Sequence, residues 1–487
     1  MTQTTTAPVM PALDRWRWIG LAAVLTAEAM NLLDATIVQV AAPTMRAGLG
    51  GSAADLQWFS AAYTLPFAVL LITGGRLGDI AGRRRVFRIG VTAFLLASLA
   101  CALAPTAGTL IAFRVVQGAA AAAIIPQTIG LIKAMFDGDE VAKALGTIGP
   151  VMGLAGVAGP VLGGVLTHAD LFGSSWRAVF LVNAPLAVAV LALTNRIRED
   201  RAPRRPGLDP LGTALVIIAA TLIVYPLIGS GGGSRQPIWS WPAAGAGVLV
   251  LIVFAVQQRH AARAGGKPLV ETSLFATRAF PAALVTSALF FAAVNGLMFV
   301  IVVHLQVGIG ANAMTAGLTL LPWSLGLGAA SYLAGSRLIP RYGDRIMFAG
   351  LAVLLLGTGA AISAYLATDP GHYPTLLLPG LAVCGLGTGL FTPTFFASAL
   401  HHVRPQEIGS AAGLLNAVQQ LGATLGVAVL GTLFFSRDIP PTPSSASQAA
   451  EAAFIIAGVI LAATTAAATA MTRSASRSMT GNRTEQS

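Results

Sequence analysis

GRLGDIAGRRRVF, residues 75–87, sets one acid and four arginines among glycines. Residues 56–74 before it and 89–104 after it are almost free of charge. A tight, glycine-punctuated turn between two apolar stretches of spanning length is a short loop at a membrane surface. Arginine resists translocation, so such a loop stays on the cytoplasmic side. The run therefore predicts an all-α membrane protein and fixes which way its second and third helices run.

Composition agrees. Hydrophobic residues make up 55% of the 487 and charged residues 10%, less than half the roughly 25% of a soluble domain. A mean hydropathy of +0.74 excludes an ordinary soluble fold. The net charge of +11 is concentrated in loops between apolar spans, which points to a lipid bilayer and away from nucleic acid. Cys101 and Cys384 both lie in apolar segments, giving neither a disulfide framework nor a metal site. Residues 1–14 are polar and the first apolar run has full spanning length, so it reads as an uncleaved helix rather than a signal peptide. An enzyme is disfavoured, because there is no soluble domain of any size and no nucleophile–base constellation.

Fourteen spans of about twenty apolar residues can be drawn. They are 18–42, 56–74, 86–103, 109–132, 141–166 and 178–193; then 210–227 and 241–256; then 279–304, 313–333, 346–366, 374–400, 409–435 and 452–471. An even count puts both termini on one side. With that side inside, 25 of the 30 Lys and Arg residues fall in cytoplasmic segments. Only Arg46, Arg177, Arg235 and Arg437 fall outside, and Arg114 sits within a span. This asymmetry alternates loop by loop and supports count and orientation together.

GSRLIPRYG, residues 335–343, echoes residues 74–82, with Pro340 where Asp79 would fall. The echo lies eight helices on rather than six. The chain thus divides into a tail (1–17), a six-helix half (18–195), a linker with an inserted helix pair (196–278), a second six-helix half (279–471) and a C-terminal tail (472–487). Paired halves of this kind hold a substrate site at the midplane and expose it alternately to each side.

The motifs resemble those of the major facilitator superfamily, and within it the fourteen-helix drug:proton antiporters that include quaternary-ammonium exporters. Gly75, Asp79, Gly82, Arg83 and Arg84 match the helix 2–3 loop, which in that family turns on its glycines and latches the two halves. LDATIVQVAAP (33–43) is similar to the first-helix signature, with Gln39 replacing asparagine. Trp58 with Ala62 and Tyr63 looks like the second helix, and Arg114, Gln117 and Gly118 like the helix-4 motif. Gly153 and the run GPVLGG (Gly159, Pro160, Gly163, Gly164) match the helix-5 antiporter motif; Trp176, Arg177, Asn183 and Pro185 fit helix 6. In the second half Leu305, Gln306, Gly310, Gly317, Pro322, Asn416 and Gln419 to Gly422 match. The likeness omits only the two tails. It implies the major facilitator fold and proton-driven expulsion of a lipophilic compound.

Glu28, Asp34 and Arg114 are ionisable residues buried well inside spans. A charge at that depth costs roughly 2.5–3.5 kcal/mol on insertion scales, so each needs a partner or a use. Counting 1.5 Å per residue from the span centres places Asp34 roughly 6 Å and Arg114 roughly 9 Å to the outer side, with Glu28 roughly 3 Å to the inner side. Asp34 is then Arg114's neighbour and Glu28 the freer acid. The pair reads as the proton-coupling element, with a purely structural ion pair as the alternative. Glu28 and Asn31, with Gln117, are expected at the substrate cavity. The glycines of helix 5 read either as close packing or as a hinge at Pro160 that prevents leak; the resemblance favours the hinge. Asp79 is expected to cap the helix that starts near Ile346. His304 reads as a surface histidine, and His401 and His402 lack metal spacing. The expected function is export of lipophilic, cationic or amphipathic drugs by a monomer, with the proton as coupling ion and no cofactor or metal. A lipid or self-made natural product as substrate, or a transport-inactive receptor, are the alternatives.

Overall fold

The computed structural model describes residues 15–170, 173–194, 197, 199–200, 207–229, 239–401, 403–404, 407–436 and 442–484. Among them there is no strand, and fourteen helices are long and apolar enough to cross a membrane. In chain order they are α1 (Trp16–Leu49), α2 (Ala53–Ala81), α3 (Arg83–Ala102), α4 (Ala107–Met135), α5 (Lys143–His168), α6 (Ser175–Thr194) and α7 (Pro210–Ile228). There follow α8 (Ser240–Arg263), α9 (Ala279–Gly308), α10 (Ala313–Tyr342), α11 (Arg345–Ala367), α12 (Leu377–His401), α13 (Ile408–Phe435) and α14 (Pro443–Ser474). The fourteen expected spans are therefore all helical, and several run on past their apolar stretch. Helix α1 continues to Leu49, and the helix of α14 reaches Thr484, so the C-terminal segment expected as a tail is largely helical. Arg196, Arg198, Arg201, Arg204, Arg205, Arg235, Arg437, His402 and residues 230–234 of the glycine-rich stretch between the two inserted helices lie outside the described residues.

Caps mark where chain direction changes. Ser52 opens α2 with a capping box: its Oγ accepts from the Asp55 amide and the Asp55 carboxylate accepts from the Ser52 amide at 2.6 Å. Thr106 and Thr109 do the same for α4. Between α2 and α3 the turn rests on Gly82, whose φ of 108° suits glycine alone among common residues.

The two halves repeat one packing plan. In the first, α1 lies on α5 and α6, α2 on α4, and α3 on α4 and α6. In the second, α9 lies on α13 and α14, α10 on α12, and α11 on α12 and α14. The inserted pair stands outside this plan: α8 packs on α7 and leaves Val248, Leu249, Ile252 and Val253 exposed, as suits a helix facing lipid.

Two seams join the halves, α2 against α13 and α5 against α10. The first is closed along most of its length. A methyl added to Gly431 would lie 2.9 Å from Gln57, the Thr64 and Thr424 hydroxyls meet at 2.6 Å, and a methyl on Gly413 would reach Ile72 at 4.0 Å. The second seam closes only at the end far from the arginine-rich loops. There Gly164 faces the Ala313 carbonyl, Gly317 faces that of Pro160, and Gln306 Nε2 donates to the Val40 carbonyl at 2.7 Å. Toward the arginine-rich face a methyl on Gly328 would still meet Val157, at 3.6 Å, whereas methyls on Gly149, Gly153 or Gly335 would meet nothing within 4 Å. The halves are thus shut on one face and parted on the other.

Candidate functional site

The interior of the first half holds one fully buried ion pair. Arg114 Nη1 lies 2.5 Å from Asp34 Oδ2, with the side chains 1% and 0% exposed. Such a pair survives in an apolar interior only when most of its remaining hydrogen-bonding capacity is filled, and several partners fill it here. Asp34 Oδ1 accepts from Gln117 Nε2 at 2.8 Å and from Asn183 Nδ2 at 2.7 Å. Arg114 donates to Gln117 Oε1 at 2.8 Å and, through Nε, to the Phe59 carbonyl at 3.0 Å. The Tyr63 ring lies 4.3 Å from the guanidinium carbon, within cation–π range. Ser98 Oγ accepts from Gln117 at 2.8 Å and from Asn183 at 3.2 Å. Five helices, α1, α2, α3, α4 and α6, each supply a group. The depth arithmetic that paired Asp34 with Arg114 is realised in this geometry.

Arg114 and Gln117 sit three residues apart and so share a helix face; both reach Asp34. This corrects one expectation. Gln117 does not line open space but is 0% exposed inside the ion-pair cluster, because its spacing from Arg114 turns it inward. Sequence reading also left out Ser98 and missed Asn183 as a site residue. Asn183 is an amide in the otherwise apolar stretch 178–193, a signal that could have marked it.

One turn inward along α1, Asn31 Oδ1 accepts from the Tyr63 hydroxyl, and Asn31 Nδ2 has no partner. Tyr63 therefore links Asn31 to the face of Arg114. A further turn inward, Glu28 is 9% exposed and lies beside Thr128 of α4. Glu28, Asn31 and Asp34 form a polar line about 9 Å long on α1. The second half offers no counterpart: α9, α12 and α13 contain no Asp, Glu, Lys or Arg.

At the arginine-rich face, Asp79 does not cap α11. Its carboxylate takes Arg83 at 2.7 Å, and Arg83 reaches on to Asp200 at 2.6 Å. The Arg84 amide donates to Glu199 at 2.9 Å and its guanidinium to the Ile197 carbonyl at 2.7 Å. The parted halves explain this, since on that face Asp79 finds its cations within its own half. Gly75, in the same turn, packs against Pro126.

The helix-5 glycines divide by neighbour. Gly159 abuts Thr36, and Gly163 abuts the Ile37 backbone and Val40, all on α1 of the same half. Gly164 and the carbonyl of Pro160 instead face α10 of the other half. Gly153 faces open space. His304 is a further correction: it is 1% exposed and packs edge-on to Tyr365 at 5.0 Å between centroids. There α9 continues as a π-helix over His304–Gly308, and α14 covers it. Among the described residues no group of His, Cys, Asp or Glu is arranged to hold a metal.

Chemically, the cluster pairs an acid with a cation and fills the acid's other oxygen with two amides, so separating Arg114 from Asp34 would strand both charges in an apolar interior.

The chain as a whole resembles known proteins in sequence and in fold. The family profile described as Major Facilitator Superfamily matches residues 24–427. The probable actinorhodin transporter of Streptomyces coelicolor is 43% identical over 420 residues, covering 86% of this chain and 72% of that protein. The puromycin resistance protein pur8 of Streptomyces alboniger is 35% identical, covering 86% and 82%. Among solved structures, a bacterial homologue of the human lysosomal transporter Spinster, inward-facing and unoccupied, superposes with a TM-score of 0.67 at 18% identity. That match covers 95% of this chain and 99% of the other.

Proposed function

Because the chain belongs to the Major Facilitator Superfamily, we propose that it is a proton-coupled antiporter that exports lipophilic, cationic or amphipathic drugs and antibiotics by alternating access. The observation that carries the reading is the Asp34–Arg114 pair, a titratable acid and its cation sealed inside one half. The kinship to a puromycin resistance protein supports drugs as cargo. On this reading the arginine-rich face is cytoplasmic, both termini with it, and the protein works in the plasma membrane. It works as a monomer, with the proton as coupling ion and no cofactor. One charge crossing 100 mV supplies about 2.3 kcal/mol, enough for a concentration ratio of roughly fifty. Inside-out vesicles supplied with cationic, zwitterionic and neutral compounds test the proposal. Export should collapse with a protonophore and should draw protons the opposite way; uptake indifferent to the pH gradient would defeat it. A second reading, export of a natural product made by the same cell, is favoured by the kinship to a probable actinorhodin transporter.

Glu28 carries the selectivity prediction. It lies near the midplane, two turns from Asp34 and unclaimed by Arg114, so it suits the counter-charge of a cation. Glu28→Gln should weaken export of cationic compounds by more than tenfold, about 1.4 kcal/mol, and leave neutral ones nearly untouched. Equal loss for both classes would make Glu28 part of the proton path instead.

A further inference from the structure

The inserted helix α7 lies along the α2–α13 seam. Its Ala220, Val224 and Ile228 share one apolar cluster with Leu65 and Val69 of α2 and Ala428 of α13. Its polar ties run mostly to the first half. The Thr213 and Thr73 hydroxyls lie 3.0 Å apart, and the ring of Tyr225 lies 5.7 Å from that of Trp58. Arg76, at the end of α2, donates to the carbonyls of Gly207 (2.9 Å), Lys267 (3.2 Å), Pro268 and Leu269 (3.1 Å). Those carbonyls flank the inserted pair, one before α7 and three after α8, so a single guanidinium holds both of its ends. Asp209 knots the same ends together, accepting from the amides of Gly212 (2.8 Å) and Leu269 (3.2 Å) and from Gln258 Nε2 (2.6 Å). Burial pushes the Asp209 carboxyl up, but these donors and Gln257 pull it below the usual carboxylate range. On the far side of the seam, Thr432 of α13 donates to the Leu227 carbonyl at 2.7 Å.

Among the described residues, the α5–α10 seam has no helix laid over it in this way. Toward its arginine-rich end, methyls on Gly153 and Gly149 of α5 would meet nothing within 4 Å, and Leu154, next to Gly153, is 71% exposed in an apolar stretch. The two seams are therefore covered unequally.

We propose that α7, strapped to the first half by Arg76, is a seal over the α2–α13 seam, so that a lipophilic substrate dissolved in the bilayer reaches the cleft only through the α5–α10 seam. This rests on the export function proposed above.

Rhodamine 6G export from proteoliposomes, paired with rhodamine 6G binding in detergent, tests it. Gly149→Phe and Gly153→Phe each add a ring where a methyl meets nothing within 4 Å, and melting curves check that both variants fold. Each should slow export from the bilayer at least tenfold while detergent binding, reached from solution, stays within twofold. Adding Arg76→Gln, which frees the seal, should restore a third or more of the lost rate. Full-speed export by both Phe variants overturns the route. Loss of detergent binding in step with export overturns it too, since the rings would then be acting on the cleft itself. No recovery with Arg76→Gln overturns the seal. Wild-type protein that moves no rhodamine 6G under a proton gradient counts against the export function itself and removes the ground for the route.

Discussion

Asp34→Asn abolishes uphill export: at 100 mV the accumulation ratio of roughly fifty that one coupled charge sustains falls to one. An amide cannot cycle a proton, yet asparagine keeps the shape and can still accept from Gln117 and Asn183, so substrate binding survives. The cost appears in stability. Arg114 is 1% exposed, and stripping a buried ion of its partner costs about 3–5 kcal/mol. The double variant Asp34→Asn, Arg114→Met should therefore melt higher than Asp34→Asn alone and still not transport. Dye-loaded vesicles report the coupling and calorimetry the stability. Proton counterflow that persists in Asp34→Asn would remove Asp34 from the coupling site, and a double variant less stable than the single would show that Arg114 is not stranded.

The second large effect is Gly164→Val. Its Cβ would lie 2.8 Å from the Ala313 carbonyl and 3.0 Å from Met314 Cα, backbone atoms of the opposite half that cannot swing aside. The far-face gate then cannot shut, and the population moves to the state open on that face, with export reduced by tenfold or more. Gly159→Ala is the contrast. Its clash is with Thr36 in the same half, so overpacking of about 1–3 kcal/mol should lower stability in every state without favouring one. Thiol labelling of a cysteine placed at Gly50, beside this gate, distinguishes them. Labelling should rise in Gly164→Val and stay level in Gly159→Ala; a level signal in both would mean that Gly164 does not hold the gate.

These contrasts show where sequence stops speaking. The fourteen helices could be read because apolar length and arginine placement are properties of the chain itself. Asp34 found Arg114 because depth along a helix is arithmetic. Which way a helix faces is set by neighbours distant in sequence, so the part of Ser98 became visible only in the packed bundle, whereas the spacing of Gln117 from Arg114 already carried its inward turn. The divided roles of Gly159, Gly163 and Gly164 depend likewise on which helix lies opposite each. Asp79 shows a different limit. Its cation, Arg83, lies four residues on in the same motif, and that local partner takes the carboxylate that the start of α11 was expected to claim. His304 was misplaced because the π-helical end of α9 and the cover of α14 bury a position that span length alone puts near the surface.

The absence of charge from α9, α12 and α13 has an evolutionary consequence. With Asp34, Arg114 and Glu28 all housed in the first half, these buried charged groups lie on one stretch of the gene. Substitutions in α9, α12 and α13 can then reshape the apolar wall of the second half without touching the ion pair, whereas changes around Glu28 fall on the same helix as Asp34.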